Sequence, residues 1–383
     1  MAKIGIDIRM MGTSHGGIGR YVKELVFELL KNAGRSGNEY VLFYNPDLEN
    51  EAYFKLLAKD SKARLVKCGI RHYSLREQWN LAKLIRKEKV ELMHFPNFNV
   101  PIFYNEPFVV TIHDMVHHKI SGAKKTRLIH FWAYKKVIQH AAKAANAVIT
   151  VSESSKKDIV RLLAVPERKV RVVYEGVSLP QTVPAEQVEL VKRKYFISRP
   201  YFLFVGVMER KKNLVNLARG FDVFIQRHRQ DMDLVIAGKA DSHYPEIRHK
   251  ILDIKNRDRL VLTDYVSEPD LAALYSGAYA FVSASLHEGF GLPGLEAMRF
   301  GLPLAVSNTE VFNEIYDNAA IYFNPLDPDD IAEKLQLLAR DAGFRQKISE
   351  NAGRRSTEFS WGKTGMETES LYAEALLTSQ KPL

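Results

Sequence analysis

Short apolar runs alternate with longer stretches of helical periodicity along both halves of this 383-residue chain. The apolar runs are rich in Val, Ile, Phe and Tyr, which is typical of buried strands. Strand–helix alternation that occurs twice over predicts two parallel α/β sheets. The predicted strands cover residues 3–9, 40–44, 90–95, 108–113, 147–151 and 170–174 in the first half, and 201–207, 234–238, 260–263, 279–285 and 304–307 in the second.

Polar residues that favour helix starts lie between these runs. The pattern predicts helices over 19–31 and 155–163, with Ser152 as the N-cap of the second. Another helix is expected after Ser267, where a Ser-Glu-Pro-Asp sequence resembles a capping box. A final helical stretch, 361–376, belongs to neither alternation. It could pack against either half.

The length exceeds what one hydrophobic core usually fills, so we expect two domains. The stretch 176–200 is polar, holds three prolines and lacks a strand pattern. We therefore place the domain boundary within it, with the first domain over 1–180.

Several classes of protein are disfavoured by the composition. No apolar run approaches the roughly 20 residues that span a bilayer, and Asp7 interrupts any signal-peptide core. The single cysteine, Cys68, excludes an intrachain disulfide. We therefore expect a cytoplasmic protein.

Positive charge is concentrated in the first half. The chain has a net charge of +10, and residues 1–180 hold 30 Lys and Arg against 17 Asp and Glu. Within that half, residues 117–143 carry seven basic residues and no acidic ones, with Phe131, Trp132 and Tyr134 among them. Such a segment fits a membrane surface or a nucleic-acid face, and also a surface helix whose apolar side packs into the core.

Two glutamates eight residues apart follow the predicted strand 279–285. Glu288 is expected on a strand-to-helix loop, and Glu296 about one turn into the helix that Pro293 begins. Free amides at a helix start suit a phosphate, whereas carboxylates accept hydrogen bonds from sugar hydroxyls. The pair therefore indicates a nucleotide-sugar, with one carboxylate for the hexose and one for the ribose.

Three further loops lie at predicted strand ends, where open α/β sheets bind ligands. A glycine-rich turn containing Gly16 and Gly17 follows the first strand, but Val22 occupies the position of the third glycine of a dinucleotide-binding fingerprint. Three consecutive cations, 210–212, follow the first strand of the second half and could neutralise a diphosphate. His113 follows another strand and could contact a sugar hydroxyl. No cluster of metal-ligand residues has the spacing of a metal site.

Together these pieces make the chain resemble glycosyltransferase family 4, whose members are retaining sugar-nucleotide-dependent enzymes of the GT-B fold. The resemblance runs through most of the chain and is closest to bacterial mannosyltransferases that assemble polysaccharides such as lipopolysaccharide. The motifs that carry it are Gly16-Gly17-Ile18-Gly19-Arg20-Tyr21, Thr111-Ile112-His113-Asp114, Val173-Tyr174-Glu175-Gly176-Val177, Phe204-Val205-Gly206, residues 210–213, and Glu288 with Glu296.

The resemblance implies an α/β architecture of two Rossmann-like domains that face each other across a cleft. The first domain, 1–180, would bind the acceptor and the second, 181–362, the sugar nucleotide. The last residues, 363–383, would form a helix that returns to the first domain.

The resemblance also assigns roles to residues, with Glu288, Lys212 and His113 expected to act in catalysis. Glu296 would hold the ribose, and Glu288 the hexose together with the backbone amides of Phe290, Gly291 and Leu292. Lys212, helped by Arg210 or Lys211, would hold the diphosphate, and Gly16 and Gly17 would close over it. His113 would face the donor sugar. Thr263 and Val266 would lie near the base. Many family members have an arginine where this chain has Val207, so the roles of Arg210 and Lys211 stay open.

The implied reaction transfers a hexose, with mannose from GDP-mannose as the expected donor, to a glycan or lipid-linked acceptor without a metal or other cofactor. The departing diphosphate would deprotonate the acceptor hydroxyl, although Glu288 as a covalent nucleophile is an alternative. A UDP-sugar donor is also open. Functions of other classes are an NAD-dependent oxidoreductase, a sugar-nucleotide epimerase and a nucleic-acid-binding protein, although we expect no nucleic-acid partner. The basic first half predicts peripheral docking on an anionic membrane.

Overall fold

The structure is a computed structural model, and it describes residues 2–12, 15–115, 128–178 and 182–379. The chain divides into two compact units, Met1–Gly176 with Ser360–Leu383, and Val177–Phe359. The two crossings between the units lie a few residues before the expected ones, which were after residues 180 and 362.

The first unit is built on a parallel sheet of seven strands with the order β3-β2-β1-β4-β5-β6-β7. Its strands are β1 (Lys3–Asp7), β2 (Glu39–Tyr44), β3 (Ala63–Lys67), β4 (Leu92–Phe95), β5 (Phe108–Thr111), β6 (Ala147–Thr150) and β7 (Val170–Val172). Its helices are α1 (Gly16–Ser36), α2 (Phe54–Lys59), α3 (Leu75–Glu88), α4 (Leu128–Ala144) and α5 (Glu153–Leu163), followed at the end of the chain by the helix Trp361–Ser379.

The second unit is built on a parallel sheet of six strands with the order β10-β9-β8-β11-β12-β13. Its strands are β8 (Tyr201–Val205), β9 (Asp233–Ala237), β10 (Leu260–Asp264), β11 (Ala280–Ser283), β12 (Leu304–Ser307) and β13 (Ala320–Phe323). Its helices are α6 (Ala185–Lys194), α7 (Leu214–His228), α8 (Pro245–Leu252), α9 (Glu268–Gly277), α10 (Leu292–Arg299), α11 (Glu310–Tyr316), α12 (Pro328–Arg340) and α13 (Ala342–Ser356). The last helix of the chain, Trp361–Ser379, belongs to the first unit and is named α14.

Two strands that the apolar pattern does not predict, β3 and β13, each lie at the edge of a sheet. The β3 sequence Ala-Arg-Leu-Val-Lys is partly or fully exposed throughout. An edge strand has one neighbour and one open side, so it needs less apolar character than a central strand. This explains why hydrophobic periodicity misses β3; it does not apply to β13, whose sequence Ala-Ile-Tyr-Phe is apolar and mostly buried.

The predicted helix starts are confirmed by their caps. The Ser152 side chain accepts a hydrogen bond from the Ser155 amide, and the Ser267 side chain accepts one from the Asp270 amide. Each cap pairs an amide that has no acceptor within the helix. Because α9 and α10 follow β10 and β11, such starts lie at the carboxyl edge of the second sheet.

The helix α14 packs against α1 in the first unit. Tyr372 on α14 hydrogen-bonds through its hydroxyl to His94 Nδ1 at 2.6 Å, and Tyr40 donates to Glu369 at 2.8 Å. The end of the chain is thus part of the first sheet's helical layer.

None of the helices in the described ranges combines the length and the apolar character that crossing a bilayer requires.

Candidate functional site

Two charged side chains of the second unit meet above the carboxyl edge of its sheet. Lys212 follows β8 and Glu288 follows β11, and these strands are neighbours although they are not consecutive in the chain. The strand order reverses between them, which is where open α/β sheets form a ligand crevice. Lys212 Nζ donates to Glu288 Oε1 at 2.5 Å, and each side chain is only 12% exposed.

Burial opposes the ionisation of Glu288, but nearby positive charge outweighs it. The pKa of Glu288 is lowered because the charges of Lys212 and Lys211, and hydrogen bonds from Lys212 and Ser285, favour the carboxylate. Glu288 is therefore an anion at neutral pH, and it holds the ammonium group of Lys212 at the sheet edge.

The three consecutive cations differ in their surroundings. Arg210 is exposed, pairs with Glu246 at 3.3 Å and lies over the ring of Tyr244. Lys211 is mostly buried, pairs with Glu209 at 3.3 Å and contributes to the low pKa of Glu288. The structure thus brings Lys211 and Lys212, rather than Arg210, to the carboxylate.

The start of α10 is fixed from below by a buried tyrosine. Gly291 has a φ of 99°, in the left-handed region that favours glycine, and Tyr316 donates to its carbonyl at 2.6 Å. A Cβ at Gly294 would lie 2.3 Å from the same hydroxyl. The loop Phe290–Leu292 is therefore held in one path, with the first amides of α10 at the sheet edge.

Glu296 lies about one turn into α10, as predicted, but it is nearly fully buried. Tyr275 of α9 donates to Glu296 Oε2 at 2.8 Å. This contact fixes the carboxylate, and it was not expected from the sequence.

Two glycines bring the ends of β8 and β9 close together. Gly206 and Gly238 have φ values of 153° and 149°, and a Cβ on Gly238 would lie 2.1 Å from the Gly206 carbonyl oxygen. Thr263 is the last residue but one of β10 and Val266 follows in the next loop, both partly exposed. Beside them, Lys239 Nζ lies 4.7 Å from the ring centroid of Tyr265. This edge therefore offers an aromatic ring and a cation next to the predicted base contacts.

In the first unit, Gly16 and Gly17 begin the long helix α1 and are exposed. A Cβ on either would meet nothing within 4 Å, whereas a Cβ on Gly19 would lie 2.1 Å from the Gly12 carbonyl oxygen. Gly19 is thus required by packing, and Gly16 and Gly17 leave open backbone at a helix start.

His113 is held on both sides by acceptors. Its Nε2 lies 3.0 Å from the Pro96 carbonyl oxygen, and its Nδ1 lies 3.4 Å from a carboxylate oxygen of Glu175. Burial alone would lower the pKa of His113, but Glu175 raises it above the ordinary value. Tyr21, on the helix that begins at Gly16, packs edge-to-face against the imidazole at 4.6 Å. Through Tyr21, His113 is thus packed against the helix that begins at the glycine turn of the same unit.

The partners Tyr275 and Tyr316 were not singled out from the sequence, and Glu175 was named only as part of a family motif, without a role. Each lies more than 20 residues along the chain from the group that it contacts, which is Glu296 for Tyr275, the Gly291 carbonyl for Tyr316 and His113 for Glu175. No local sequence spacing marks such a contact. The basic segment 117–143 lies partly outside the described residues. Within the described ranges, no group of three or more His, Cys, Asp and Glu is arranged to hold a metal ion.

Two family models match the chain. Residues 15–181 match the model described as Glycosyltransferase Family 4, and residues 189–355 match the one described as Glycosyl transferases group 1. The O-antigen chain mannosyltransferase B of Escherichia coli is 26% identical over 373 residues, which cover 93% of this chain and 95% of that protein.

Solved structures share the fold over almost the whole chain. A glycosyltransferase from Rickettsia africae has a TM-score of 0.74 at 18% identity and covers 98% of each chain. Anabaena HepE in complex with UDP and glucose has a TM-score of 0.73 at 15% identity, with 98% of this chain and 100% of that chain covered. The fold is GT-B, built from two Rossmann-like α/β domains.

Proposed function

Because this chain belongs to glycosyltransferase family 4, we propose that it transfers mannose from GDP-mannose to a glycan or lipid-linked acceptor with retention of the anomeric configuration. The observation that carries the proposal is the Lys212–Glu288 pair beside the start of α10. A cation, a carboxylate and free helix amides in one crevice suit a diphosphate attached to a sugar. The mannosyltransferase relative supports mannose as the transferred sugar.

In the proposed reaction, the bond between the anomeric carbon and the diphosphate oxygen breaks, and the electron pair stays on the phosphate. Lys212, Lys211 and the α10 amides stabilise that developing charge. The acceptor hydroxyl bonds to the anomeric carbon on the same face and gives its proton to the departing phosphate oxygen. Glu288 holds the hexose hydroxyls in this scheme, because a carboxylate already paired with Lys212 is a weakened nucleophile.

The other site residues have the following roles in the same proposed reaction. Glu296, fixed by Tyr275, accepts the ribose hydroxyls. We propose Thr263 and Val266 as contacts of the base, and Gly16 and Gly17 as the diphosphate contacts that the first unit contributes. His113 has an acceptor at each ring nitrogen, the Pro96 carbonyl at Nε2 and the Glu175 carboxylate at Nδ1, so its proposed role is to face the donor sugar as a fixed ring rather than to act as a base.

We also propose that the enzyme works on an anionic membrane through a face of its first unit. Trp79 on α3 and Phe103 in the loop after β4 stack at 4.6 Å while remaining 56% and 44% exposed. Next to them, Ile102, Lys136 and Lys143 line a groove of about 540 Å³. Exposed aromatics beside lysines fit a lipid interface with anionic headgroups.

Vesicle flotation tests this face. Wild type should float with an equimolar phosphatidylcholine–phosphatidylglycerol mixture but not with phosphatidylcholine alone. Trp79→Ala and Lys136→Glu should each weaken flotation at least about fivefold. Leu56→Ala is the matched control, because right-handed crossovers place α2 on the other face of the sheet. Equal binding to both vesicle types, or equal loss in the control, refutes the membrane face.

The donor is tested by a thermal-shift panel of GDP-mannose, UDP-glucose, ADP-glucose and NAD. A ligand that binds only the folded state at 100 times its Kd adds about 2.7 kcal/mol to the free energy of unfolding. We expect GDP-mannose to give the largest rise in melting temperature. A larger rise with a UDP-sugar changes the donor, whereas a rise with NAD alone refutes the glycosyl-transfer site.

A further inference from the structure

A small polar cavity lies at the carboxyl edge of the first sheet. It is lined by residues at or beyond the ends of β1, β3 and β4, among them Asp7, Met10, His72, Asn97 and Asn99. Its volume is about 10 Å³, roughly the space of one water molecule. The cavity is thus too small for a sugar ring but has room for one hydroxyl group.

His72 is the unusual member of this lining. Both of its ring nitrogens are buried and have no hydrogen-bond partner in the described part of the chain. The closest carboxylate oxygen, Glu77 Oε1, is 3.9 Å from Nδ1 and already accepts from Asn99 at 2.7 Å and from Arg9 at 2.7 Å. Buried polar groups are normally paired, so the two ring nitrogens of His72 suit a hydrogen bond with a ligand hydroxyl group.

Tyr73, next to His72, presents an exposed ring beside the cavity. It is 64% exposed and has a φ of 59°, a strained conformation for a residue other than glycine. The backbone is held there by a hydrogen bond from the Tyr73 amide to Glu77 Oε2 at 2.8 Å. Asn97, which lines the cavity, has its amide nitrogen 3.5 Å from the Tyr73 hydroxyl.

The charges around the cavity favour a neutral ligand. Arg9 is buried and already binds both Asp7 and Glu77. One guanidinium against two carboxylates leaves net negative charge, which repels a phosphate. Imidazole and amide groups beside an exposed ring suit a sugar, whose hydroxyls form hydrogen bonds and whose C–H face packs on aromatics.

The cavity also adjoins the turn where we propose the donor diphosphate. The ring of His72 lies 5.9 Å from the ring of His15, which directly precedes Gly16. A sugar bound at His72 would therefore lie near the turn that begins at Gly16, in the same unit.

We propose that His72 and Tyr73 form the subsite for the acceptor sugar, with the ring on Tyr73 and one hydroxyl in the cavity bonded to His72. This inference rests on the proposed glycosyl transfer. The site distinguishes a neutral sugar terminus from the phosphate of a lipid carrier, which the carboxylates would repel.

Saturation-transfer NMR with methyl α-mannoside, in the presence of saturating GDP, tests the subsite. His72→Ala should weaken the mannoside's binding about fivefold, the value of one hydrogen bond. Tyr73→Gly should weaken it similarly without lowering the melting temperature, because glycine adopts the positive φ without strain. His140→Ala is the matched control, because His140 Nε2 is likewise buried and unpartnered in the described chain but lies in the Lys136 groove.

Steady-state kinetics with a mannoside acceptor distinguishes a failure of the proposed acceptor subsite from a failure of the proposed glycosyl transfer. The His72 and Tyr73 variants should raise KM for the acceptor and leave KM for GDP-mannose unchanged. If wild type is active and the acceptor KM does not change, the cavity holds only a structural water and the subsite is refuted. If wild type neither binds nor uses GDP-mannose, the proposed function fails first, and this is visible without any variant.

Discussion

Removing either partner of the Lys212–Glu288 pair should have opposite effects on the binding of GDP. In the free enzyme, Lys212 is already bonded to Glu288 at 2.5 Å. To reach a diphosphate, its ammonium group must leave or share that carboxylate. Lys212→Met deletes the phosphate ligand, whereas Glu288→Gln deletes the group that competes with phosphate for Lys212.

The magnitudes follow from burial and charge. A charge-assisted hydrogen bond contributes about 1.5–3 kcal/mol, so Lys212→Met should weaken GDP binding roughly 10- to 150-fold. It also leaves Glu288, which is 12% exposed, without its main counter-charge. Breaking a buried pair in this way costs about 3–5 kcal/mol of stability, or roughly 6–20 °C in melting temperature for a unit of this size.

Glu288→Gln should bind GDP at least as tightly as wild type, because Lys212 no longer has an anionic partner to leave. The same variant should bind GDP-mannose more weakly, since the carboxylate that we assign to the hexose is gone. Both variants should lose at least about a hundredfold in turnover.

The assay is isothermal titration of GDP and of GDP-mannose into wild type and both variants, with melting curves to verify folding. Arg210→Met is the matched control, because Arg210 pairs with Glu246 and is exposed. The reasoning is refuted if Glu288→Gln loses GDP affinity as strongly as Lys212→Met. Near-wild-type turnover in both folded variants would falsify the function itself.

Three further predictions concern other contacts. The buried His94 has a pKa lowered to about 3 against an ordinary value of 6.5. Stability should therefore be complete above pH 6.5 and fall below it, by about 1.4 kcal/mol at pH 5.5; urea unfolding should show this slope, and His94→Gln should flatten it. Tyr275→Phe removes a hydrogen bond that orients the Glu296 carboxylate, so KM for GDP-mannose should rise about fivefold, with no change in the affinity for 2′,3′-dideoxy-GDP. Gly294→Ala puts a Cβ 2.3 Å from a buried tyrosine hydroxyl and should destabilise by about 1–3 kcal/mol, whereas Gly353→Ala, with open space around it, should not.

The architecture was largely predictable because parallel sheets bury their central strands on both faces. Those strands read as apolar runs, as in 201–207, where the structure has Tyr201–Val205. The prediction extends two residues beyond the strand, to Gly206 and Val207, although the Gly206 amide still donates to the Ala237 carbonyl at 2.9 Å. Edge strands such as Ala63–Lys67 carry charge and gave no such signal.

The positions of the candidate site residues were predictable for a related reason, since loops after parallel strands meet at one edge. Their contacts were not predictable. Strand order alone brings Lys212 to Glu288, and helix packing alone brings Tyr275 to Glu296. The turn of Arg210 toward Glu246 depends on where α8 packs, which local sequence does not encode.

The returning helix Trp361–Ser379 has a consequence for how this protein is made. During synthesis, residues 1–176 leave the ribosome long before that helix. Until the helix is made, the face of α1 that it covers stays exposed to solvent, and His94 lacks its hydrogen bond with Tyr372. A fragment that ends at residue 176 therefore lacks one helix of the first unit. Yet a Cβ on Gly176 would lie 2.1 Å from the Trp361 nitrogen, so the two stretches adjoin. Excising the second unit and splicing residue 176 to 360 should yield a free-standing first unit.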